Sequence, residues 1–536
     1  MNNVKLLDCT LREAPLDNLM WGDLSIRKLV DGLERAGTDI IEIGFLKDGK
    51  HKQGSTIFQF PHEIKPYIEN KRKEILYIAL VDYGRYDLSQ LEENDGETID
   101  AIRVCFKKHE IDKVIDYARK IKNKGYKVCI QHVDTLGYSD IEILSFIEKV
   151  NEFNPFAYSI VDTFGSMYED DALHLVGMVE RNLKPDIWLG FHGHNNLLLA
   201  DSNAQRFIKE SSRRKIIVDA SLYGCGRSAG NAHTELIAQF LDDKYDCQYD
   251  VDEMLDLIDT VIASAKEKTT WGYCIPYFIS GMYGAHSFNS KHLTKRHNIK
   301  SRDLREIIKK LDNTQKKAYD YALLEKLYVE HFDNPVDDSE SISVLSKSLC
   351  NHDVLLLAPG QSVVDKKEDI ENYIDIYHPI IIGVNNIIDG FNLDYVFYSS
   401  EIRYQNLRYQ DIRIAGNPNI IITSNIRMEG NRGETVVDYA SLIKSGWVYL
   451  DDSGILLMRL LQKCGINEIA IAGFDGYKIA GNDFYSSELN TNLEDKEKAE
   501  HNRETKEMLI DMKSRNPSFV LDFITPSIYD HVFVDI

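Results

Sequence analysis

The sequence predicts an α/β protein with two parts: an N-terminal TIM barrel, that is a (β/α)8 barrel, with a helical extension, and a C-terminal doubly wound α/β domain. Two observations lead to this fold class. In the first 230 residues, short β-rich apolar runs recur eight times, with amphipathic helical stretches between most of them. After residue 345, strand-like and helix-like segments alternate again. A length of 536 residues is also too long for one hydrophobic core.

The eight apolar runs are the expected barrel strands. Parallel strands need crossover connections, and helix-like segments such as Ser25 to Ala36, Glu110 to Lys124, Asp140 to Glu152 and Asp170 to Asn182 provide them. Active sites of such barrels lie at the carboxyl ends of the strands. The strands are predicted at Lys5 to Cys9, Asp39 to Phe45, Ile75 to Val81, Ala101 to Phe106, Tyr126 to Val133, Ala157 to Thr163, Ile187 to His194, and Lys215 to Leu222.

The seventh strand ends in His192-Gly193-His194. Side chains two residues apart on a strand point to the same face, about 6 to 7 Å from each other. The two imidazoles can therefore share one divalent cation if a carboxylate completes the set. Two histidines held by ordinary hydrogen bonds are the alternative. Three other strand ends bring polar residues to the same rim: Asp8 to Glu13, Asp162 to Gly165, and Gly224 to Asn231.

These motifs resemble the metal-dependent lyase and aldolase superfamily, called DRE-TIM or HMGL-like, that includes hydroxymethylglutaryl-CoA lyase, 4-hydroxy-2-oxovalerate aldolase, isopropylmalate synthase and homocitrate synthase. The resemblance covers roughly residues 1 to 330 and is greatest to aldolase-type members found with bacterial surface-polysaccharide genes. It is carried by Leu7-Asp8-Cys9-Thr10-Leu11-Arg12, Ile41-Glu42-Ile43-Gly44-Phe45, Ile102-Arg103-Val104 and Val161-Asp162-Thr163-Phe164-Gly165-Ser166-Met167.

The resemblance implies a divalent metal, Mn2+, Mg2+ or Zn2+, held by Glu13, His192 and His194, with Asn231 helping to complete the site. One carboxylate and two neutral imidazoles suit a borderline divalent ion and leave positions open for a chelating 2-oxo acid. The resemblance also implies that Arg12 is catalytic, stabilising a developing oxyanion. A structural ion pair at the barrel mouth is the alternative role for Arg12.

The chain departs from the family at two positions. Most members have Asp-Gly after the arginine, where this chain has Glu13-Ala14, and a glutamate there resembles homocitrate synthase. The pyruvate aldolases have a catalytic histidine four residues after the arginine, where this chain has Leu16. Proton transfer must then use another group. The candidates are Asp162, which could instead support a metal-bound histidine, His132, Tyr273 and His286, the last two on a segment resembling the region that closes over such barrels.

The domain boundaries are expected at 1–270 for the barrel, 271–332 for a helical extension or lid, 333–345 for a linker and 346–536 for a nucleotide or nucleotide-sugar-binding domain. A helix is predicted over Thr314 to His331, and Asp333 to Ser341 combines proline, acidic residues and serine as linkers do. The second domain is predicted to have strands at Asp353 to Ala358, Ile380 to Val384, Tyr395 to Tyr398, Ile420 to Thr423, Trp447 to Leu450, Glu468 to Ala472 and Ser518 to Ile524.

The second domain lacks G-x-G-x-x-G and G-x-x-x-x-G-K-[ST] motifs, but its turn at Pro359 to Ser362 suits a phosphate. With Gly383 to Asn386, Asp394 to Ser400 and Ile471 to Gly476, it resembles the Rossmann-like domains of bacterial sialyltransferases and pterin diphosphokinase-like proteins. That resemblance implies that Gly360 and Ser362 hold phosphate, that Asn385 approaches the nucleoside or sugar, and that Asp475 ends a strand at the binding crevice. Glycines that only turn the chain are the alternative.

Composition limits the kinds of partner and the cellular location that we expect for this protein. The net charge of -22 disfavours nucleic acid. No apolar run reaches 18 residues, and the first residues pass directly into a strand, so we expect no membrane span, no signal peptide and a cytoplasmic protein. Eight scattered cysteines without C-x-x-C pairs indicate reduced thiols. By resemblance to the superfamily, a homo-oligomer is expected.

The sequence therefore predicts a bifunctional enzyme. The barrel would be a metal-dependent aldolase or lyase of the EC 4.1.3 kind, acting on a pyruvate-type 2-oxo acid and an aldehyde. The second domain would be transferase-like and bind a nucleotide sugar, in surface polysaccharide biosynthesis. One alternative is a Claisen condensation of an acyl-CoA with a 2-oxo acid, as in homocitrate synthase. Another is a barrel fused to a non-catalytic binding scaffold.

Overall fold

The chain folds into two compact units, each built on one parallel sheet. The first unit is Met1–Ser290 with Asn313–Ala318, and the second is Lys291–Asp312 with Tyr319–Ile536. The computed structural model describes residues 3–13, 20–69, 71–211, 213–266, 271–296, 299–333, 335–407, 416–427, 433–478, 482–486, 489 and 493–534.

The first unit contains a closed ring of eight parallel strands. The strands β1 and β2 pair with each other and so close the ring, while the two-residue strand β3 adds to β2 outside it. All eight predicted barrel strands are confirmed, with ends within two residues of the predicted ones. They are β1 Val4–Asp8, β2 Ile40–Leu46, β4 Leu76–Asp82, β5 Ala101–Phe106, β6 Lys127–His132, β7 Ala157–Asp162, β8 Trp188–Gly193 and β9 Ile216–Ala220, with β3 at Ile57–Phe58.

Helices connect most of the barrel strands, and their ends follow from local chemistry. The helix Asp140–Phe153 begins where the Ser139 hydroxyl accepts the Glu142 N–H, and it ends at Asn154, which is left-handed with φ 54°. The helices of this unit are Thr10–Glu13, Asp23–Arg35, Val114–Asn123, Asp140–Phe153, Glu169–Asn182, Ala200–Ser211, Thr234–Tyr245, Val251–Leu257, Ala263–Lys266, Ile275–Met282 and Asn313–Lys317; Ser287–Leu293 crosses the unit boundary. A π-helix spans Ile258–Ile262, and 3-10 turns span Pro61–Tyr67, Lys108–Glu110, Thr135–Gly137 and Leu222–Gly224.

The inside of the barrel has an apolar layer and a charged layer. Alternate strand residues such as Leu7, Ile78 and Ile217 pack together in the apolar layer. In the charged layer, the Arg103 guanidinium donates to both carboxylate oxygens of Asp219, at 2.5 and 3.1 Å, and its Nε is 3.5 Å from Glu42. All three side chains are at most 1 % exposed. The barrel thus contains a buried set of paired charges.

His132, one of the predicted proton-transfer candidates, faces away from the barrel interior. Its Nε2 lies 2.9 Å from the Tyr158 hydroxyl, and its ring packs near Phe106, Tyr138 and Phe146. Phe146 belongs to the helix Asp140–Phe153, so this cluster lies between strands and helices. Strand alternation explains the outcome, because Cys129, three residues earlier, is in the inner layer. His132 is therefore a core residue.

The second unit contains a seven-stranded sheet in which every pairing is parallel. Its strand order is β14-β13-β12-β11-β10-β15-β16. The order reverses direction between β10 and β15, which makes that position the topological switch point of the sheet. The strands are β10 Val354–Leu357, β11 Ile380–Val384, β12 Tyr395–Tyr398, β13 Asn419–Thr423, β14 Thr435–Val437, β15 Glu468–Ala472 and β16 Val520–Phe523.

One predicted strand of this unit is wrong. Trp447 to Leu450 forms a turn, and the additional strand lies at Thr435–Val437 instead. Tyr449 and Leu450 are fully buried, and the Tyr449 N–H donates to the Glu504 carboxylate rather than to a neighbouring strand. A short apolar run indicates burial, but it does not by itself distinguish a strand from a buried turn.

The helical segment between the sheets differs from the predicted boundaries. The helix expected over Thr314 to His331 is divided into Asn313–Lys317 and Tyr321–Phe332, since Asp320 begins a new helix by accepting the Leu323 N–H. The expected linker at 333–345 includes the first turns of the helix Ser339–Leu349. None of the described helices is long and apolar enough to span a membrane. The helices of this unit are Ser301–Lys310, Tyr321–Phe332, Ser339–Leu349, Ser362–Asp365, Lys367–Tyr377, Glu401–Asn406, Ser453–Lys463, Asp495–Arg515 and His531–Val534.

Replacing Arg103 with methionine tests the charged layer. Arg103→Met should lower the free energy of unfolding by about 3 to 5 kcal/mol, because it leaves the Asp219 carboxylate buried without its arginine. The exposed Arg119, which pairs with Asp116 on a helix surface, is the matched control, and Arg119→Met should change stability by less than about 0.5 kcal/mol. Denaturant unfolding followed by circular dichroism measures both, and equal losses would show that Arg103 has no special role.

Candidate metal centre and active site

The structure brings Glu13, His192 and His194 together at the carboxyl end of the barrel. One ligand atom of each lies within 4.8 Å of the other two, and all three side chains are buried. Glu13 ends the short helix that follows β1, while the two histidines lie at the end of β8 with rings 5.1 Å apart and nearly perpendicular. Among the residues that the structure describes, this is the one cluster of three or more such groups suited to a metal ion.

Both histidines are oriented by hydrogen bonds at Nδ1. His192 Nδ1 lies 3.1 Å from Asp219 Oδ2, and His194 Nδ1 lies 3.3 Å from the Gly230 carbonyl. An acceptor at Nδ1 fixes the proton there and leaves Nε2 as the ligand nitrogen, as in many metal-bound histidines. Burial lowers the pKa of His194 to about 3, so this imidazole is neutral near pH 7. Neutral imidazole is the form that binds a cation.

Glu13 is held as a carboxylate despite its burial. Burial alone would raise its pKa, but the charge of the adjacent Arg12 guanidinium outweighs it and holds the pKa at about 2. An ionised carboxylate and two neutral imidazoles fit a divalent cation such as Mn2+, Mg2+ or Zn2+. The longer glutamate at this position therefore still reaches the histidines.

Arg12 links the triad to the charged layer of the barrel. Its Nε donates to Glu42 at 2.8 Å, and its Nη1 donates to Glu13. Its Nη2 is buried and has no hydrogen-bond partner among the residues that the structure describes. A buried N–H without a partner is costly, so a donor left open beside a metal triad indicates a place for a substrate oxygen.

Asn231 also has an open atom at the triad. It pairs with His194 in an isolated β-bridge, and its amide nitrogen donates to the Cys225 carbonyl at 3.0 Å. Its Oδ1 is buried without a partner. The neighbouring Gly226 has no side chain, and a Cβ there would lie 2.5 Å from the Asn231 amide and 3.2 Å from Glu13 Oε2. This oxygen is suited to bind the metal ion directly or to accept a hydrogen bond from a water bound to the ion.

Asp162 lies at the end of β7 but does not support either histidine ring. Its carboxylate accepts the N–H groups of Ser166 and Met167, at 2.8 and 3.0 Å, and only its backbone carbonyl contacts His194. Burial raises the pKa of Asp162 to about 7, against the effect of those hydrogen bonds. The residue that orients His192 is Asp219, which the sequence analysis did not single out.

The other two predicted catalytic residues lie away from the triad. His286 shares a rim pocket with Thr163, Phe164 and Arg227, and its Nδ1 accepts the Phe288 N–H. Tyr273 is half exposed, with its ring packed against Phe278, outside the buried cluster. Leu16, where the pyruvate aldolases have a histidine, lies outside the described residues.

Glu42, Arg103 and Asp219 are the buried residues that the sequence analysis missed. Each is a charged residue inside an otherwise apolar strand, in β2, β5 and β9 respectively. Charges in such strands are almost never left unpaired. Three of them in three strands of one barrel are the signal that could have indicated an internal charged network.

In the second unit, a cavity of about 430 Å³ lies at the carboxyl ends of β10, β11, β12 and β15. Gly360, Asn385 and Asp475 line it, as expected. Asp475, however, accepts the Ser362 N–H at 2.9 Å and the Ser362 hydroxyl, and the Gly360 N–H donates to the Gly473 carbonyl at 2.8 Å. The donors expected to hold phosphate are therefore engaged within the protein.

Asn385 likewise makes its hydrogen bonds within the protein. Its Oδ1 accepts the Ser399 N–H at 3.0 Å, and its Nδ2 donates to Ser453, so one amide joins the ends of β11 and β12 to the helix Ser453–Lys463. Arg403 is the one arginine among the described residues around the cavity, and it donates to the Leu489 carbonyl at 2.8 Å.

Removal of a triad ligand should weaken metal binding. In Glu13→Gln and His194→Ala, we expect at least about a tenfold loss of affinity for Mn2+, because one of three protein ligands is lost. The exposed His174, which pairs with Asp140, provides the control His174→Ala with unchanged affinity. Equilibrium dialysis with elemental analysis measures occupancy, and full occupancy in both triad variants would remove the ligand assignment.

Parts of this chain are similar to known proteins. Residues 100–262 match the HMGL-like family model. The oxaloacetate decarboxylase of Mycobacterium tuberculosis is 26 % identical over 296 residues, covering 54 % of this chain and 84 % of that protein. The 4-hydroxy-2-oxovalerate aldolase of Ralstonia pickettii is 27 % identical over 329 residues, covering 56 % of this chain and 88 % of that protein.

A solved structure with a similar arrangement is the HMG-CoA lyase of Brucella melitensis, at a TM-score of 0.41 and 14 % identity over 50 % of this chain and 100 % of that one. The family match and the two sequence relatives agree with the resemblance noted from the motifs. Residues 100–262 of the barrel are therefore similar to the HMGL-like family, and the chain is similar in sequence to 4-hydroxy-2-oxovalerate aldolases and to an oxaloacetate decarboxylase.

Proposed function

We propose that the barrel is a divalent-metal-dependent aldolase or lyase that makes or breaks a C–C bond beside the oxo group of a 2-oxo acid, with an aldehyde as the second substrate. The observation that carries this proposal is the buried Glu13, His192 and His194 triad with the open Nη2 of Arg12 beside it. The names of the two sequence relatives, a 2-oxo acid decarboxylase and a hydroxy-oxo acid aldolase, support the substrate class.

A bound divalent ion supplies a Lewis acid that withdraws charge from the oxo and carboxylate oxygens of the substrate. The Arg12 guanidinium donates hydrogen bonds to the same substrate oxygens. Its guanidinium is fixed by Glu13 and Glu42, so Nη2 is held in place before negative charge develops. A donor that is already oriented stabilises an oxyanion without reorganisation.

We propose Asp162 as the first candidate for proton transfer and His286 as the second. A carboxyl group with a pKa of about 7 can give and take a proton near neutral pH, which favours Asp162. His286 is kept neutral by burial, which lowers its pKa to about 3, so it suits donation of a hydrogen bond better than proton uptake. Tyr273 would need to move from its exposed position to take part.

A Claisen condensation of an acyl-CoA with a 2-oxo acid is the second candidate for the barrel. Glu13 favours it, because a glutamate at this position resembles homocitrate synthase, and it uses the same triad and Arg12. The two reactions differ in whether turnover requires an acyl-CoA. A barrel that binds metal without catalysis is the third candidate.

For the second unit, we propose a Rossmann-like domain that binds a nucleotide or nucleotide sugar. The supporting observation is the cavity at the switch point of its parallel sheet, where α/β folds bind ligands. Since Ser362 and Gly360 donate within the protein and carry no charge, the phosphate would contact the positively charged Arg403, which lines the same cavity. Activation or transfer of the barrel's product by this domain would suit surface polysaccharide biosynthesis.

Enolate formation in the barrel can be measured without knowing the aldehyde. Metal-loaded protein in deuterated water should exchange the methyl protons of pyruvate, because the proposed mechanism removes a proton from that carbon. Arg12→Lys should slow the exchange by about a hundredfold, as loss of a fixed oxyanion donor does, and His194→Ala should abolish it. Proton NMR measures the rate. Metal-loaded protein without exchange would favour the acyl-CoA reaction.

Nucleotide binding in the second unit can be measured by isothermal titration calorimetry with cytidine and uridine 5′-diphosphates. Arg403→Gln should weaken the affinity about tenfold, because it removes a charge-assisted hydrogen bond to phosphate. Arg515, an exposed arginine paired with Asp511 in the same unit, supplies the control Arg515→Gln with unchanged affinity. No heat with either nucleotide, or an equal loss in the two variants, would reject the site.

A further inference from the structure

Arg227 is a second arginine at the rim of the metal centre. It lies in the loop after β9, and its backbone N–H donates to Glu13 Oε2 at 3.4 Å. Arg227 also lines a rim pocket together with His286, which belongs to the segment that follows the barrel. The side chain is only half-buried, and no ion pair or side-chain hydrogen bond involves it within the described ranges.

Arg227 lines a small pocket on this rim. The pocket is formed by the ends of three barrel strands together with Ala285, His286 and Ser287. No carboxylate is among the residues that line it. The hydrogen bond from the Phe288 N–H to His286 Nδ1 places the imidazole proton on Nε2, so His286 adds a donor but no charge. The pocket is therefore positive, and the charge belongs to Arg227.

The charges deeper in the barrel do not need Arg227. The three carboxylates Glu13, Glu42 and Asp219 face the two arginines Arg12 and Arg103. If the substrate binds as proposed above, a divalent cation and the carboxylate of one 2-oxo acid join these groups. The positive and negative charges of the whole set are then equal. The charge of Arg227 is then left over, close to the position where the rest of the substrate must extend.

We propose that Arg227 binds a second anionic group of the barrel's substrate, a carboxylate or a phosphate-like group remote from the 2-oxo acid function. A guanidinium presents paired N–H donors that match such a group in a bidentate geometry. This inference rests on the proposed function of the barrel and narrows it. The substrate is a dianion, and Arg227 selects it over monocarboxylates of the same length.

The test is a comparison of matched ligands by isothermal titration calorimetry on the full-length, Mg2+-loaded protein. The pairs are 2-oxoglutarate with 2-oxovalerate, and 3-phosphonopyruvate with 2-oxobutyrate, which share a chain length and differ in the second anion. We expect at least one dianion to bind about tenfold more tightly than its partner, because one charge-assisted hydrogen bond is worth about that factor. Which pair shows the preference distinguishes carboxylate from phosphonate.

Variants of Arg227 locate the preference. Arg227→Gln should reduce it to less than about twofold, and Arg227→Lys should keep part of it, because lysine retains the charge but not the paired donors. Arg119→Gln, at an exposed helix position of the same unit, should keep it fully. Equal binding of both members of each pair by the unmodified protein, or an undiminished preference in Arg227→Gln, would overturn the proposal. If Arg227→Gln fails to fold, the ligand pairs on the unmodified protein and Arg227→Lys still decide.

Pyruvate methyl exchange on the same preparations separates this proposal from the proposed function. Exchange without a dianion preference would mean that the barrel enolises 2-oxo acids but Arg227 has no role in selection. A dianion preference that requires Arg227, without exchange, would mean that the anion site exists and that the barrel carries out another reaction.

Discussion

A chain of alternating buried charges through the barrel interior is the interaction on which the metal centre depends. A buried charge without a partner costs several kcal/mol, so each carboxylate in the chain needs a cation and each cation a carboxylate. This pairing keeps the metal-binding carboxylate ionised at one end and fixes the tautomer of a histidine at the other. The chain runs in order from Glu13 through Arg12, Glu42, Arg103 and Asp219 to His192.

The barrel therefore has different kinds of charged residue in its interior and at its rim. The interior holds fixed charges that pair with other protein groups, and Arg12 Nη2 and Asn231 Oδ1 are among the buried atoms there without a hydrogen-bond partner in the described part of the chain. The rim holds groups with fewer protein partners, such as Arg227, on loops that differ in length from strand to strand. When the reacting groups lie deep in a rigid scaffold and the groups that select the substrate lie on its loops, substrate selection can change without loss of the reaction.

The barrel and the clustering of Glu13, His192 and His194 could be predicted from the sequence, because strand periodicity and short motifs are local signals. His192 and His194 lie two residues apart on one strand, and Glu13 follows a motif on another. The charged layer could not be predicted in the same way, since Arg103 and Asp219 are 116 residues apart and meet only when the ring closes. In the second unit, the strand predicted at Trp447 to Leu450 was wrong for a related reason. Hydrophobicity indicates that a segment is buried, whereas a strand is defined by its hydrogen bonds to a neighbouring strand.

Closure of the ring by β1 and β9 also sets an order of events in time. His194 follows Glu13 by 181 residues and Asn231 follows it by 218, so a nascent chain cannot bring the three together until most of the barrel has been made. Until then, Glu13 and Arg12 are solvated side chains on an unfinished strand. The ligand set is thus complete only when the barrel itself is nearly complete.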